Sequence, residues 1–401
     1  MTGTVGEILT SFERTTEEYV SREELVELLA SSRLLRIKYG VDVTAPHLHI
    51  GHAVNLWMMR HLQDLGHTVI FLIGDFTTRI GDPTGRNRLR PIMPEAEIAV
   101  NAKEFIRQAR MVLRFEPEVL EIRRNSEWYD WMPATQLIEL LSMLTHARLV
   151  SRDMFGARIE RGEDLYMHEM LYPILQGYDS VAVESDLTII GSDQLFNEML
   201  GRFYQERFGQ QPQAIITTTI TRGIDGKAKQ SKSLGNYIGL GHSPRDKFGR
   251  TMRIPDNLII DYLTIYTDIP LEQIEAIRER VVREPMEAKL FLARELVRRY
   301  HGIDVADQEE RWFRDTFSAR RLPTDIPEKA IEGSRHSAFD LVRGCLGPET
   351  SNNELRRLFV QDAIRLNGET IDRPEEMILV RDGDVMQVGK RFWLRLRLTV
   401  P

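Results

Sequence analysis

Two apolar runs, LLRIKYGVDV at 34–43 and TVIFLIGD at 68–75, flank a stretch whose apolar residues recur at helical spacing. The runs are rich in Val, Ile and Leu, as strands buried on both faces are. Between them Ala53, Leu56, Trp57, Met58, Leu62 and Leu65 mark a helix, and Gly66 stands where it should stop. Strand, helix and strand in this order start a parallel α/β sheet, which needs crossovers of this length. Such sheets bind ligands beyond the carboxyl ends of their strands, so the loop near 42–49 is where chemistry is expected. A third strand-to-helix unit, SDLTIIGSDQLFNEMLGRFYQERFG at 185–209, turns at Gly191, Ser192 and Asp193.

A chain of 401 residues exceeds one ordinary core. An amphipathic helix is expected at 22–33. From about 240 the character changes, and 258–267, 271–283 and 287–301 read as helices with charged faces. The two prolines of RRLPTDIPEK (320–329) make it the best linker. The tail reads as a short helix, then hairpins turning at Asn367-Gly368 and Asp382-Gly383. The expected organisation is a Rossmann-like parallel-sheet domain at 1–239, a helical domain at 240–325 and a small α+β domain at 334–401.

No apolar run approaches the roughly 18–20 residues that span a bilayer. The polar, acidic N-terminus does not read as a signal peptide. One cysteine, Cys345, excludes an internal disulfide and a thiolate zinc site, and favours a reducing cytoplasm. The net charge of −7 argues weakly against an indiscriminate nucleic-acid binder, although the tail is slightly basic.

HLHIGHAV (47–54) places three histidines in six positions. A helical zinc pair wants spacing of four and a nearby acid, whereas these spacings are two and three. Ordinary loop histidines remain open, and so does phosphate binding. His49 and His52 stand at a helix N-terminus, where free amides and the dipole favour an anion, and Gly51 lets a ligand approach. A second segment, GKAKQSKSLGN (226–236), tips the balance. Lys229 and Lys232 could clamp a polyphosphate, with Ser231 and Ser233 to orient it.

His49-Ile50-Gly51-His52 and Lys229-Gln230-Ser231-Lys232-Ser233, in this order and context, resemble the HIGH and KMSKS signatures of class I aminoacyl-tRNA synthetases. GDPTGR and YPILQGYDS narrow the resemblance to the bacterial tyrosyl-tRNA synthetase family. It covers nearly the whole chain, including a tail similar to an S4 RNA-binding domain. The resemblance makes 1–239 catalytic and 240–325 the anticodon side. It implies activation of L-tyrosine by ATP carrying Mg²⁺, with no resident metal, and transfer to the 3′ end of tRNA(Tyr). It also implies a cytoplasmic homodimer with no membrane partner.

Tyr172, Gln176 and Asp179 fall at i, i+4 and i+7, so one helix face presents three polar groups among Leu171, Ile174, Leu175 and Tyr178. A buried carboxylate can accept a phenol hydroxyl, and phenylalanine would leave it unpaired. By resemblance Asp179 takes that hydroxyl, and Tyr172 and Gln176 hold the ammonium group. Lys38, Thr77, Asp82, Asn125 and Gln194 join the tyrosine site. Thr44, His49 and His52 fall to the reacting phosphate, while Asp42, Gly51, Gly191 and Asp193 face ATP and its ribose. Lys229 and Lys232 with Ser231 and Ser233 take the β,γ-phosphates. Arg86 and Arg90, beside Arg88, take departing pyrophosphate, since guanidiniums grip it bidentately. His47 is an ordinary loop residue.

Several residues depart from the family pattern. Gln230 replaces Met, Val43 a common Pro and Ile190 a Gly. Thr78 stands where a Gly is usual, and Tyr39 where a smaller residue is. A relative that activates a modified tyrosine, or uses another acyl acceptor, is the alternative. A non-catalytic RNA-binding relative is disfavoured by the intact His49, His52, Lys229 and Lys232.

Overall fold

The computed structural model describes residues 5–83, 93–232, 234–318, 326–347, 350–389 and 392–399. Arg86, Arg88, Arg90 and Ser233 therefore lie outside the described residues. The chain divides into two compact units, 1–310 and 311–401.

The first unit is built on six strands: β1 (Thr16–Val20), β2 (Arg36–Val41), β3 (Thr68–Ile73), β4 (Leu120–Arg124), β5 (Leu187–Gly191) and β6 (Ala214–Thr218). Their order is β1-β6-β5-β2-β3-β4. All neighbours run parallel except β1, which pairs antiparallel with β6. From β2 the chain winds outward through β3 and β4, then returns to β5 and winds the other way. The order thus reverses between β2 and β5, where α/β sheets open a crevice for ligands.

The expected crossover helix is Ile50–Asp64, with Ala53, Leu56, Met59 and Leu62 fully buried. Helices Ile259–Tyr266, Leu271–Arg283 and Pro285–His301 form where the apolar spacing predicts them. Ile259, Leu263, Leu292 and Leu296 join the same apolar core as the sheet. Arg14 ties these helices down further, donating from its guanidinium to the carbonyls of Leu263, Thr264 and Ile269. Leu263 and Thr264 lie in the last turn of Ile259–Tyr266, where helix carbonyls run out of backbone donors, and Ile269 lies in the loop that follows.

The second unit holds strands β7 (Glu328–Glu332), β8 (Arg335–Ser337), β9 (Ile364–Leu366), β10 (Glu369–Thr370), β11 (Met377–Leu379), β12 (Val385–Val388) and β13 (Phe392–Thr399). Helices Ala338–Leu346 and Asn352–Val360 bury Leu341, Val342, Leu355 and Phe359 against Ile364, Met386 and Leu396. The β9–β10 hairpin turns at Asn367-Gly368, both left-handed at φ 51° and 91°, as its sequence predicts. Two expectations fail here. Asp382-Gly383 closes no hairpin: β11 pairs with β8 and β12 with β13, so this turn merely redirects the chain between two sheets. The end of the supposed linker is a strand, because Glu328 and Lys329 open β7, which buries Ile331 and pairs parallel with β13. Residues 320–325 of that segment lie outside the described residues; Pro327 directly precedes the strand, where a missing N–H costs no ladder bond.

Candidate active site

A cavity of about 330 Å³ opens at the switch point between β2 and β5. It gathers Lys38, Asp42, His49, Gly51, His52, Thr77, Asp82, Tyr172, Gln176, Asp179, Gly191, Asp193, Gln194, Lys229 and Lys232. Asn125 stands behind this lining and acts on it through hydrogen bonds. Thr44 and Ser231 do not line it.

Helix Met167–Ala182 presents Tyr172, Gln176 and Asp179 to the cavity, as the i, i+4, i+7 spacing predicts. Asp179 is 5 % exposed. Its carboxylate accepts from Trp128 Nε1 at 3.1 Å and from Asn125 Nδ2 at 3.4 Å. Burial pushes its pKa up to about 7 against the opposing pull of Lys38. Asn125 also donates to Thr77 Oγ1 (3.0 Å), which donates to Asp42 (2.9 Å), and Tyr172 donates to the other Asp42 oxygen (3.0 Å). One chain of hydrogen bonds therefore runs from Trp128 to Tyr172, with two carboxylates as its acceptors.

A second network underlies Gln176. Gln194 donates to Asp82 at 2.5 Å, and Asn197 donates to the carbonyls of Gln176 (2.7 Å) and Gln194 (3.0 Å). Gln176 donates to Glu198 at 3.0 Å. Lys38 lines the cavity, but its ammonium lies on Glu198 (2.8 Å) and Ser180 (2.6 Å). Trp128, Asn197 and Glu198 escaped the sequence reading. Trp128 has no helical or strand periodicity to mark it. Asn197 and Glu198 lie beside Gln194 but look like any polar helix residues.

The two histidines meet across the first turn of helix Ile50–Asp64, with ring centroids 3.8 Å apart. His49 N–H donates to His52 Nδ1 at 3.2 Å. Nδ1 of His49 is buried and has no hydrogen-bond partner among the described residues. Burial, then Lys232 and Lys229, pushes His49 down to about 3, and burial and His49 hold His52 well below its usual range. Both rings are therefore neutral at physiological pH and offer hydrogen bonds without charge. Gly51 makes room: a Cβ there would stand 2.9 Å from His49 Nδ1.

Residues 48–50 pair with 238–240, through Ile50 N–H to Ile238 O (2.9 Å) and Leu240 N–H to Leu48 O (2.8 Å). This pairing fastens the histidine loop to the chain just after the lysine loop. Lys229 lies on Asp193 at 2.9 Å, and the Lys232 ammonium sits 4.7 Å from the Phe105 ring centroid. Gln230 anchors the loop between them, donating to Tyr266 Oη (2.7 Å) and Thr221 Oγ1 (3.2 Å). Ser231 N–H and Lys229 O are both held by Asn236.

The departures acquire reasons. A proline at 43 would have no N–H, whereas Val43 has one, and Thr78 Oγ1 accepts it at 3.0 Å. The two exchanges compensate each other. Tyr39 is buried against Phe71, with a hydroxyl contact to Asn55, and Ile190 lines the cavity beside Gly191. Among the described residues, no group of His, Cys, Asp and Glu converges as a metal site. None of the described helices is long and apolar enough to cross a membrane.

Residues 30–318 match the family model of tRNA synthetases class I (W and Y). The chain is 42% identical to a tyrosine–tRNA ligase of Moorella thermoacetica, over 96% of this chain and 94% of that one. It is also 42% identical to a tyrosine–tRNA ligase of Thermotoga maritima, over 96% and 95%. A truncated mitochondrial tyrosyl-tRNA synthetase of Aspergillus nidulans shares the fold at a TM-score of 0.63 and 24% identity, over 77% of this chain and 94% of that one. With its two signature segments brought together at the sheet's switch point, the chain belongs to the class I tRNA synthetases of the W and Y family.

Proposed function

We propose that the chain is a tyrosine–tRNA ligase: it joins L-tyrosine to ATP as tyrosyl-adenylate, then passes the acyl group to the 3′ end of tRNA(Tyr). The observation that carries the amino-acid choice is Asp179, a buried carboxylate reached by Trp128 and Asn125 and facing a cavity shared with the histidine and lysine loops.

In this reading the phenol hydroxyl donates to Asp179. Tyr172, Gln176, Asp82 and Gln194 receive the ammonium group, with Thr77 and Asn125 fixing their surroundings. The tyrosine carboxylate attacks the α-phosphorus in line, and no side chain acts as nucleophile. Neutral His49 and His52, with the backbone at Gly51, hold the oxygens of the strained phosphate, where preorganised donors act most strongly; Thr44, outside the cavity lining, would have to turn inward to join them. Asp42, Gly191 and Asp193 face the nucleoside. Lys229 leaves Asp193 to join Lys232 on the β,γ-phosphates, with Ser231 and Ser233 beside them. Arg86 and Arg90 follow pyrophosphate as it departs. Magnesium arrives on ATP.

Residues 240–325 would lie on the anticodon side and 334–401 would bind tRNA as an S4-like domain. A second copy would cover the exposed Trp131, Ile138 and Met167, which are 84%, 63% and 75% accessible. The single Cys345 fits a reducing cytoplasm. Tyrosine-dependent ATP–pyrophosphate exchange by the full chain, followed by charging of tRNA(Tyr), tests the assignment. Exchange supported equally by phenylalanine, or by no aromatic amino acid, would refute it.

A further inference from the structure

Glu198 lies in the first turn of helix Leu195–Arg207, 2% exposed, directly beneath Gln176. Three donors converge on its carboxylate. Gln176 Nε2 reaches Oε1 at 3.0 Å, while Lys38 Nζ (2.8 Å) and Gln213 Nε2 (2.7 Å) reach Oε2. A carboxylate is the side-chain group that only accepts, so Gln176 must turn its NH₂ toward Glu198. Its carbonyl oxygen then faces the other way, where Asn197 Nδ2 meets it at 2.7 Å and a second lone pair is left for the cavity. The negative charge this requires, buried and costly alone, is balanced by Lys38, itself 1% exposed.

We propose that Glu198 is a positioning residue for the amino acid's α-ammonium, acting through Gln176, and that Lys38 is its counter-ion and not a substrate ligand. The inference rests on the tyrosine-site reading above. It identifies the element that decides which end of the Gln176 amide meets the substrate. With the amide reversed, an N–H would face a cation and repel it. Lys38 is held by Glu198 and Ser180 and has no need of the substrate.

Glu198→Gln tests this, because a carboxamide cannot accept from three donors. Its own NH₂ forces one neighbour to turn, and Gln176 is the neighbour with an alternative in the cavity. Steady-state exchange kinetics should show KM for tyrosine raised about 10- to 100-fold, the effect of losing one hydrogen bond to a charged group. KM for ATP should not change. The double variant Lys38→Met/Glu198→Gln removes one of the three donors. Gln213, whose Oε1 is buried with no partner among the described residues, can then turn to accept from the new amide. Read at pH 8.5, where losing the Lys38 charge costs the Asp179 carboxylate least, KM for tyrosine should fall clearly below that of E198Q, as relieving the donor conflict requires. Should E198Q fail to fold, the double variant carries the test, since it leaves no uncompensated ammonium in the interior. An unchanged KM for tyrosine in E198Q, a parallel rise in KM for ATP, or a double variant as impaired as E198Q would overturn the proposal. A wild-type enzyme without tyrosine-dependent exchange would instead remove the reading beneath it.

Discussion

Asp179 should make tyrosine binding sensitive to pH in a range where most carboxylates are silent. Burial raises its pKa from 3.8 to about 7, opposed first by Lys38 and then by hydrogen bonds from Tyr129, Asn125 and Trp128. In the substrate-free enzyme the group is a neutral acid below pH 7 and a carboxylate above it. Tyrosine needs the carboxylate as acceptor for its hydroxyl, so affinity is complete above pH 7 and falls as pH drops. With one proton linked to binding, KM for tyrosine should rise about tenfold per unit, reaching roughly tenfold over its plateau at pH 6 and about thirtyfold at pH 5.5. His49, held near 3, does not titrate in this window. Lys247 is also drawn down to about 7 by burial, but it does not line the cavity and is common to the control. The assay is ATP–pyrophosphate exchange at saturating ATP from pH 5.5 to 8.5, for wild type and Asp179→Asn. The variant keeps an acceptor that cannot titrate, so its KM should be higher but flat. A flat wild-type profile, or the same acid rise in Asp179→Asn, would refute the reasoning. The same shift also sets a stability trend. The folded protein keeps a proton that the unfolded chain releases, so the substrate-free enzyme should lose stability as pH rises from 3.8 toward 7.

Three further outcomes follow from the site. Lys229→Ala and Lys232→Ala should each slow exchange by about 10²–10³ with little change in KM for tyrosine, the usual size for a lost transition-state contact. Equal losses in kcat and tyrosine affinity would argue against the clamp. Gly51→Ala drives a methyl to 2.9 Å from His49 Nδ1, so the ring must move. Single-turnover adenylate formation should slow at least about tenfold while tyrosine affinity, measured by equilibrium dialysis, holds. Tyr266→Phe removes one of the two acceptors of the Gln230 amide, leaving one of its buried N–H groups unpaired, and removes the partner of Thr221. Thermal and denaturant unfolding should show a loss of about 1–3 kcal/mol, the cost of stranding a buried amide, and activation should slow as the lysine loop loosens. Unchanged stability would place the anchor elsewhere.

Much of the architecture was legible because its strands are buried on both faces. β2, β3 and β5 are aliphatic runs bounded by turns, and the helix between β2 and β3 carries an unbroken apolar face. β1 (TEEYV) and β4 (LEIRR) are edge strands, and their charged residues conceal the alternation. β6 (AIITT) is fully buried but only five residues long, too short to separate from a helix fragment by periodicity. Among the residues that line the cavity, those on a periodic face or in a signature segment were legible: Tyr172, Gln176, Asp179, His49, His52, Lys229 and Lys232. Glu198, Asn197 and Trp128 were not, since each matters through a partner at least 20 residues distant in sequence. Val43 and Thr78 read as two unrelated departures and proved to be one hydrogen bond. The end of the linker was misjudged because prolines mark both linkers and the entrances to strands.

The pairing of residues 48–50 with 238–240 also sets a clock on synthesis. His49 meets Gly239 across 239 − 49 = 190 positions of chain. At translation rates of about 5–20 residues per second, the N-terminal half waits roughly 10–40 seconds before its partner leaves the ribosome. Until then the histidine loop lacks this fastening, so a nascent chain can complete β2 and β3 and still be unable to grip a nucleotide. The grip on nucleotide should form only once residues 238–240 have emerged and that tie is made.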